Sequence, residues 1–313
     1  MTVPVNQSRP RVLYIIGDAR SGSTILDALL GSRPGIVATG ELNMLFLDDF
    51  GAPRVCACTR PMEDCPLWGP VLRRWTAALA PHRPSDFLGL QKRFERFRGL
   101  PRLFRHSRRR SSSFEDYTRW TVDLLNTIAD VGSAAIVAES AKNPVRALAF
   151  LRGGGVEMTL VHLVRDPRGV AWSKRKLVRW RGLPIWLHNP VAVVLRAALD
   201  WTFANLFTEI VASRYRHVPY VRIRYEDLVR DPAGVLGRIG DVTGIDLSTL
   251  GERASAGEVF GFGHIMAGNI ARERGPRPLV PDVDWRENAP RRIRWTVWLL
   301  TGWLARRYGY RRK

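Results

Sequence analysis

The sequence predicts an α/β protein: a P-loop-like three-layer fold with a central parallel sheet, helices on both faces, and a helical, basic insertion. Three observations lead there. An apolar run, VLYIIG (Val12 to Gly17), enters a glycine loop and then a helical pattern. The same strand-then-helix unit recurs along the chain, which is the signature of a parallel sheet covered on both faces. Between about Gly51 and Ser113 that rhythm is interrupted by cysteines, prolines and a run of arginines, so this stretch reads as inserted into a single domain spanning 1–313.

Each element has its own justification. VLYIIG is continuous, β-branched and closed by glycine, as a strand buried on both faces should be. After it, TILDALLG places Ile25, Leu26, Leu29 and Leu30 at helical spacing, with Gly31 as the expected stop. AAIVAES (Ala134 to Ser140) predicts a second strand, with a helix from Pro144. EMTLVHLV (Glu157 to Val164) predicts a third, followed by DPRGVAWS, where Asp166 can cap a helix and Pro167 can occupy its first position. YVRIRY (Tyr220 to Tyr225) repeats the pattern, with Asp231 and Pro232 as the next cap. Residues 180–216 predict an apolar helical segment. A C-terminal helix is expected to carry Trp295, Trp298 and Leu299 on one side and to pack on the sheet.

With 313 residues a substantial core is expected, and 49 Lys and Arg against 29 Asp and Glu give a net charge of +20. That charge points to anionic partners: a nucleotide, a polyanionic substrate, an acidic membrane surface or nucleic acid. No helix-turn-helix, zinc-finger or RNP-type pattern is present, so nucleic acid is not the expected partner. The basic stretch from Lys92 to Arg110, with phenylalanines between its charges, fits an amphipathic helix on acidic lipid or a solvated helix of the insertion equally well. The chain shows no signal-peptide pattern and no long uninterrupted apolar span; the expectation is a cytoplasmic protein, extending to peripheral contact with the inner membrane surface.

Cys56, Cys58 and Cys65 lie too close together for a secreted disulfide scaffold. Their spacing has the look of a metal clip, yet three thiols lack a fourth ligand. His82 is the histidine considered for it, and ordinary buried or loop cysteines with no metal are the expectation. His162, alternating along a strand, is expected to be packed, and His264 has no evident role.

The chemistry is carried by GDARSGST, Gly17 to Thr24. A nucleoside-triphosphate loop needs a lysine beside its final Ser or Thr. Here Ser23 stands in that place and the cation comes earlier, at Arg20. A loop entering a helix still offers unpaired amides and the positive end of the helix dipole, with hydroxyls at Ser21, Ser23 and Thr24 and room for an oxyanion at Gly22.

RSGST (Arg20 to Thr24) resembles the 5′-phosphosulfate loop of sulfotransferases that use 3′-phosphoadenosine 5′-phosphosulfate (PAPS). HLVRDPRGVAWS is similar to that family's second signature, a strand-end arginine and a serine eight positions later. The resemblance implies that Arg165 and Ser173 hold the 3′-phosphate and that Tyr225, in RYEDL, contacts the adenine. The closest likeness is to the prokaryotic and tyrosylprotein-type branch. There the resemblance implies Glu41, in RPGIVATGEL, as general base, and Lys142, in ESAKNPVRA, as the cation on the transferring sulfuryl group beside Arg20. The C-terminal R-K-G-x-x-G signature of the small-molecule branch is missing; GNIARERG offers Arg272 or Arg274 as a weaker counterpart.

The implied activity is sulfuryl transfer from PAPS to a hydroxyl acceptor, with no metal required. A glycan, a glycolipid or another amphipathic molecule suits the Trp-, Leu- and Arg-rich segments. A P-loop kinase-type nucleotide enzyme is the alternative, and a nucleic-acid-binding protein a weaker one.

Overall fold

The computed structural model describes residues 9–46, 55–180, 190–267, 275 and 278–312, leaving aside the side chains of 177–180 and 190. β1 (Arg11–Gly17) enters α1 (Ser23–Gly31), then β2 (Ile36–Ala38) and a 3₁₀ turn at Leu42–Met44. The insertion supplies α2 (Trp68–Leu79), α3 (Pro84–Phe94) and α4 (Leu100–Arg109), and α5 (Ser112–Val131) leads out of it. β3 (Ile136–Lys142), α6 (Pro144–Gly153), β4 (Glu157–Val164), α7 (Pro167–Trp180) and α8 (Pro190–Arg214) follow. The remainder is β5 (Tyr220–Arg224), α9 (Tyr225–Arg230), α10 (Pro232–Thr243), α11 (Ser248–Ser255), α12 (Asp284–Asn288) and α13 (Arg291–Arg307).

All strand pairs are parallel, in the order β2-β3-β1-β4-β5. Alternation along β1 divides the core in two. Val12, Tyr14 and Ile16 join the side chains of α2 to α6, whereas Leu13 and Ile15 face those of α1, α9, α10 and α11. The sandwich is therefore the three-layer arrangement that the strand-helix rhythm predicts. From β1 the chain steps outward to β2, and from β4 it steps the other way to β5. Neighbouring strands thus send their connections apart beyond the carboxyl ends of β1 and β4, the position at which open α/β sheets bind ligands.

β2 was not foreseen: three residues at a sheet edge leave almost no periodicity to read. The predicted caps are present. Asp166 accepts the Arg168 amide at 2.9 Å, and Asp231 accepts that of Gly234 at 2.9 Å.

Described residues of the insertion are not a separate body, for Trp68, Trp75, Phe87, Phe94 and Leu103 share one core with β1. A buried ion network stitches them to the sheet. Arg146 on α6 donates through Nε to Glu139 of β3 at 2.7 Å and through Nη1 to Glu95, the residue that closes α3. Tyr117 donates to the same Glu95 oxygen at 2.9 Å. Burial pushes both carboxyls upward against the pull of Arg146. On α4 only Leu103 is buried, and its arginines stand in solvent.

Two helices depart from expectation. α13 does pack inward, but Trp295 and Leu299 lie one turn apart on its outer face, while Trp298 lies on the inner one with Val164 and Trp201. Three residues read as one stripe are thus two faces. Within α8 the 24 residues Val191–Arg214 hold an 18-residue window with a mean hydropathy of 1.3, long and apolar enough to cross a membrane by length and composition. Its inner face nevertheless buries Trp201, Asn205 and Thr208 in the protein, and its outer one exposes Val191, Leu195, Leu199 and Phe203.

Candidate active site

Gly17 closes β1, and the chain then turns sharply into α1. Arg20 holds φ at 70°, a left-handed conformation that costs an L-residue energy, and Gly22 follows at 94°. At Gly22 a side chain is excluded by more than φ: a Cβ would lie 2.5 Å from the Tyr225 ring. Ser21, Ser23 and Thr24 are buried, and the Ser21 hydroxyl has no hydrogen-bond partner. No side chain caps α1, so the positive end of its dipole faces the loop. Asp18 binds Lys174 of α7 at 2.8 Å, although burial pushes that carboxyl upward.

β4 delivers the second group. Arg165 leaves its carboxyl end and reaches back to the loop, donating through Nη1 to the Arg20 carbonyl at 2.9 Å. Nη2 donates to Asp282 at 2.8 Å. The guanidinium lies over the Tyr225 ring, 4.7 Å from its centroid. Ser173, two turns into α7, accepts from Arg20 Nε at 2.8 Å. Arg20, Arg165, Ser173 and Tyr225 therefore meet in one cluster. Tyr225 is the first residue of α9 rather than the last of a strand, and it is buried.

The third group comes from β2 and β3. Between Tyr14 and Ile16 the register of β1 against β3 slips, and Lys142 comes to stand opposite Ile16 with φ at 59°. Such a bulge re-aims a strand-end side chain. Lys142 Nζ meets the Glu41 carboxylate at 2.5 Å and the Ser140 carbonyl at 3.1 Å. Both members of the pair are largely shielded.

A residue not singled out in the sequence locks this pair in place. Asp27, on the inner face of α1, accepts the Gly40 amide and the Ser140 hydroxyl, each at 2.8 Å. Full burial raises it to about 7, with Ser140 and Gly40 pulling the other way. The available signal was a carboxylate inside the apolar pattern TILDALLG. Asp282 was also missed, because it lies far along the chain in a stretch without periodicity.

The remaining expectations divide. Arg272 and Arg274 lie outside the described residues. His162 is packed: it is fully buried, lowered to about 4 by burial, and bonded to Tyr220 and Asn205 at 2.8 Å. His82 does not approach the cysteines and packs on the Trp120 ring, 4.9 Å between centroids. The histidine beside the thiols is His264.

Such a site can bind an anionic ligand. It pairs a helix N-terminus and an unpartnered buried hydroxyl with two arginines, and it sets an acid–lysine pair on the neighbouring strand ends.

The chain is similar to known proteins in sequence pattern and in fold. A family model described as "Sulfotransferase family" matches residues 11–249. The sulfotransferase domain of the Synechococcus PCC 7002 olefin synthase has a similar structure: TM-score 0.54 at 20% identity, covering 98% of this chain and 97% of that one. Sulfotransferase STF1 of Mycobacterium tuberculosis H37Rv gives 0.49 at 16% identity over 86% and 77%. Retinol dehydratase in complex with retinol and PAP gives 0.44 at 15% over 94% and 81%. No curated protein matches the sequence. The matched family model covers β1 to α10 and the first two residues of α11, including the Gly17–Thr24 loop, Arg165 with Ser173, and the Glu41–Lys142 pair, and on that evidence the chain belongs to the sulfotransferase family.

Proposed function

We propose that the protein transfers a sulfuryl group from PAPS to the hydroxyl of an amphipathic acceptor. One observation carries this reading: Arg20, Arg165 and Ser173, from three separate elements, close into a single hydrogen-bonded cluster at the mouth of the α1 loop. A nucleotide with phosphates at both ends suits such a cluster, since two guanidinium groups and a helix N-terminus supply its counter-charge. The buried, unpartnered Ser21 hydroxyl fits a phosphate or sulfuryl oxygen.

PAPS would supply the activated sulfuryl group. Arg20 and the loop from Ser21 to Thr24 would hold its 5′ end, Arg165 and Ser173 its 3′-phosphate, and Tyr225 would border the base. The Glu41 carboxylate takes the proton of the acceptor hydroxyl. Lys142, already in contact with Glu41, places a positive charge where negative charge develops.

The acceptor's amphipathic character is supported by the outer faces of α8 and α13. Leu199 is 66% exposed, Leu299 73% and Trp303 56%. Phe97, in the basic stretch before α4, packs edge-on against Phe203 of α8, 4.6 Å between centroids. Arginines and apolar surface therefore adjoin, as in a protein that rests on an acidic membrane.

Two measurements test the reading. Adenosine 3′,5′-bisphosphate should raise the melting temperature and ATP should not, because the loop lacks the triphosphate lysine. Labelled sulfate from PAPS should enter a hydroxylated product in a lysate of the source cells. Stabilisation by ATP alone would favour the kinase-type alternative and end the proposal.

A further inference from the structure

The three cysteines left unexplained by the sequence converge on a histidine two hundred residues away. Cys56, Cys58 and Cys65 lie around the turn that follows residue 55, and His264 comes from the loop after α11. The three sulfurs and the ring nitrogen all fall within 4.8 Å of one another. Cys65 Sγ is 3.3 Å from His264 Nδ1, Cys56 Sγ is 3.8 Å from it, and Cys58 Sγ is 3.8 Å from Cys65 Sγ.

These separations discriminate between chemistries. A disulfide requires sulfurs about 2.05 Å apart, so no pair here is bonded. Zinc binds thiolate sulfur at about 2.3 Å and imidazole nitrogen at about 2.0–2.1 Å. The edges of that tetrahedron are about 3.8 Å between sulfurs and about 3.6 Å from sulfur to nitrogen. The 3.8 Å sulfur–sulfur distance and the 3.3 and 3.8 Å sulfur–nitrogen distances lie within about 0.3 Å of those edges, and the remaining pairs lie within 4.8 Å. Three soft thiolates and one imidazole form a closed four-ligand set, which suits a structural rather than a catalytic ion.

We propose that Cys56, Cys58, Cys65 and His264 Nδ1 bind one structural Zn²⁺. The backbone is shaped for it. Val55 pairs with Pro61 across a tight turn, where the Cys56 amide donates to the Arg60 carbonyl and the Thr59 amide to that of Cys56, both at 2.9 Å. Thr59 takes a left-handed φ of 69° to close it. The His264 backbone is anchored at its carbonyl, which accepts from Trp68 Nε1 at 2.6 Å. Binding releases the thiol protons and leaves a complex with one net negative charge, beside Arg60 in the same turn.

The ion joins two segments that hold the Glu41 loop. The Ala57 amide donates to the Ile265 carbonyl at 3.1 Å, tying the cysteine turn to the histidine loop. That loop then grips the end of β2, with the Met266 amide on the Thr39 carbonyl at 3.1 Å and the Glu41 amide on the Ala267 carbonyl at 3.4 Å. Gly40 between them has no room for a side chain, since a Cβ would lie 2.4 Å from the Ala267 oxygen. Zinc thus acts as a positioning element for residues 39–41. The metal site itself stands whether or not Glu41 is the base.

The test is metal content and coordination, read independently of activity. The purified full chain should hold about one zinc per molecule by elemental analysis, and a thiol-blocking mercurial should release it. Cobalt exchanged into the protein should show the intense visible bands of tetrahedral thiolate coordination. Cys58→Ser and His264→Ala should each lower metal content and melting temperature, whereas His82→Ala should change neither. Should those variants fail to fold, the cobalt spectrum of the unaltered protein decides alone. Absence of zinc, with three thiols freely reactive in the folded protein and no cobalt bands, overturns the proposal. So does a Cys58–Cys65 disulfide found by mass spectrometry.

Discussion

The Asp27 carboxylate accepts a hydrogen bond from the Ser140 hydroxyl at 2.8 Å, binding α1 to the strand that carries Lys142. Its other oxygen is buried without a partner. Burial holds the acid at about 7, so the folded chain binds its proton more tightly than the unfolded chain does. This favours folding most below about pH 4, and the contribution disappears as pH rises through about 7. The substitution Asp27→Asn imitates the neutral acid. Chemical denaturation of that variant should therefore show a weaker loss of stability between about pH 4 and pH 7, by an amount on the order of 4 kcal/mol. Parallel pH profiles for the two proteins would contradict it.

Glu41 and Lys142 touch each other at 2.5 Å, but the proposed chemistry gives them different tasks. Glu41→Gln should lower turnover with PAPS and acceptor by about a hundredfold or more. Calorimetry should find binding of adenosine 3′,5′-bisphosphate nearly unchanged in that variant. Lys142→Ala should cost a similar factor. Normal turnover in Glu41→Gln would remove it as the base.

Asp282 occupies a donor of Arg165 that the proposed 3′-phosphate needs. Its carboxylate both competes for the guanidinium and repels the ligand. Asp282→Asn should bind adenosine 3′,5′-bisphosphate more tightly, by about two- to fivefold for a half-exposed pair. Weaker binding by isothermal titration would show instead that Asp282 helps to hold Arg165 in position.

Arg146 is fully buried between Glu95 and Glu139. Its removal leaves two carboxyls without their cation, which typically costs about 3–5 kcal/mol. Arg146→Ala should lose that much in urea denaturation at pH 8. The deficit should shrink at pH 5, where the carboxyls, already raised by burial, take up protons more readily.

The outer faces of α8 and α13 lead to a surface prediction. Vesicles containing phosphatidylserine should sediment the protein, neutral phosphatidylcholine vesicles much less, and added salt should weaken the contact. Leu299→Glu should reduce binding without changing the fold, since Leu299 stands outside it. Equal sedimentation of that variant would remove α13 from the contact.

Those parts of the molecule that repeat were readable from the chain. β1, β3, β4 and β5 are apolar, β-branched stretches, punctuated by Gly17 after β1, Asn143-Pro144 after β3 and Asp166-Pro167 after β4, and their boundaries fall within two residues of expectation. Arg20 was nameable from the glycine loop that follows β1, whereas Arg165, Ser173, Glu41 and Lys142 were named through the resemblance of their motifs to those of the sulfotransferases. What escaped was set by packing at long range. The pairing of Cys65 with His264 spans 199 positions, and that of Arg165 with Asp282 spans 117. No local pattern encodes either one. Trp298 was placed with Trp295 because both are apolar on one helix, and only the neighbours Val164 and Trp201 decide which of them turns inward.

β1 is the middle strand of the sheet, and the chain is made from that end. Its neighbours β3 and β4 begin only at Ile136 and Glu157. At about 5–20 residues per second, VLYIIG waits on the order of ten seconds during translation before a partner strand exists. Such a run is adhesive while unpaired, and Arg9 and Arg11 directly before it supply the charge that discourages nascent chains from joining edge to edge. Replacing both arginines with alanine would threaten yield on the ribosome more than the stability of the finished molecule.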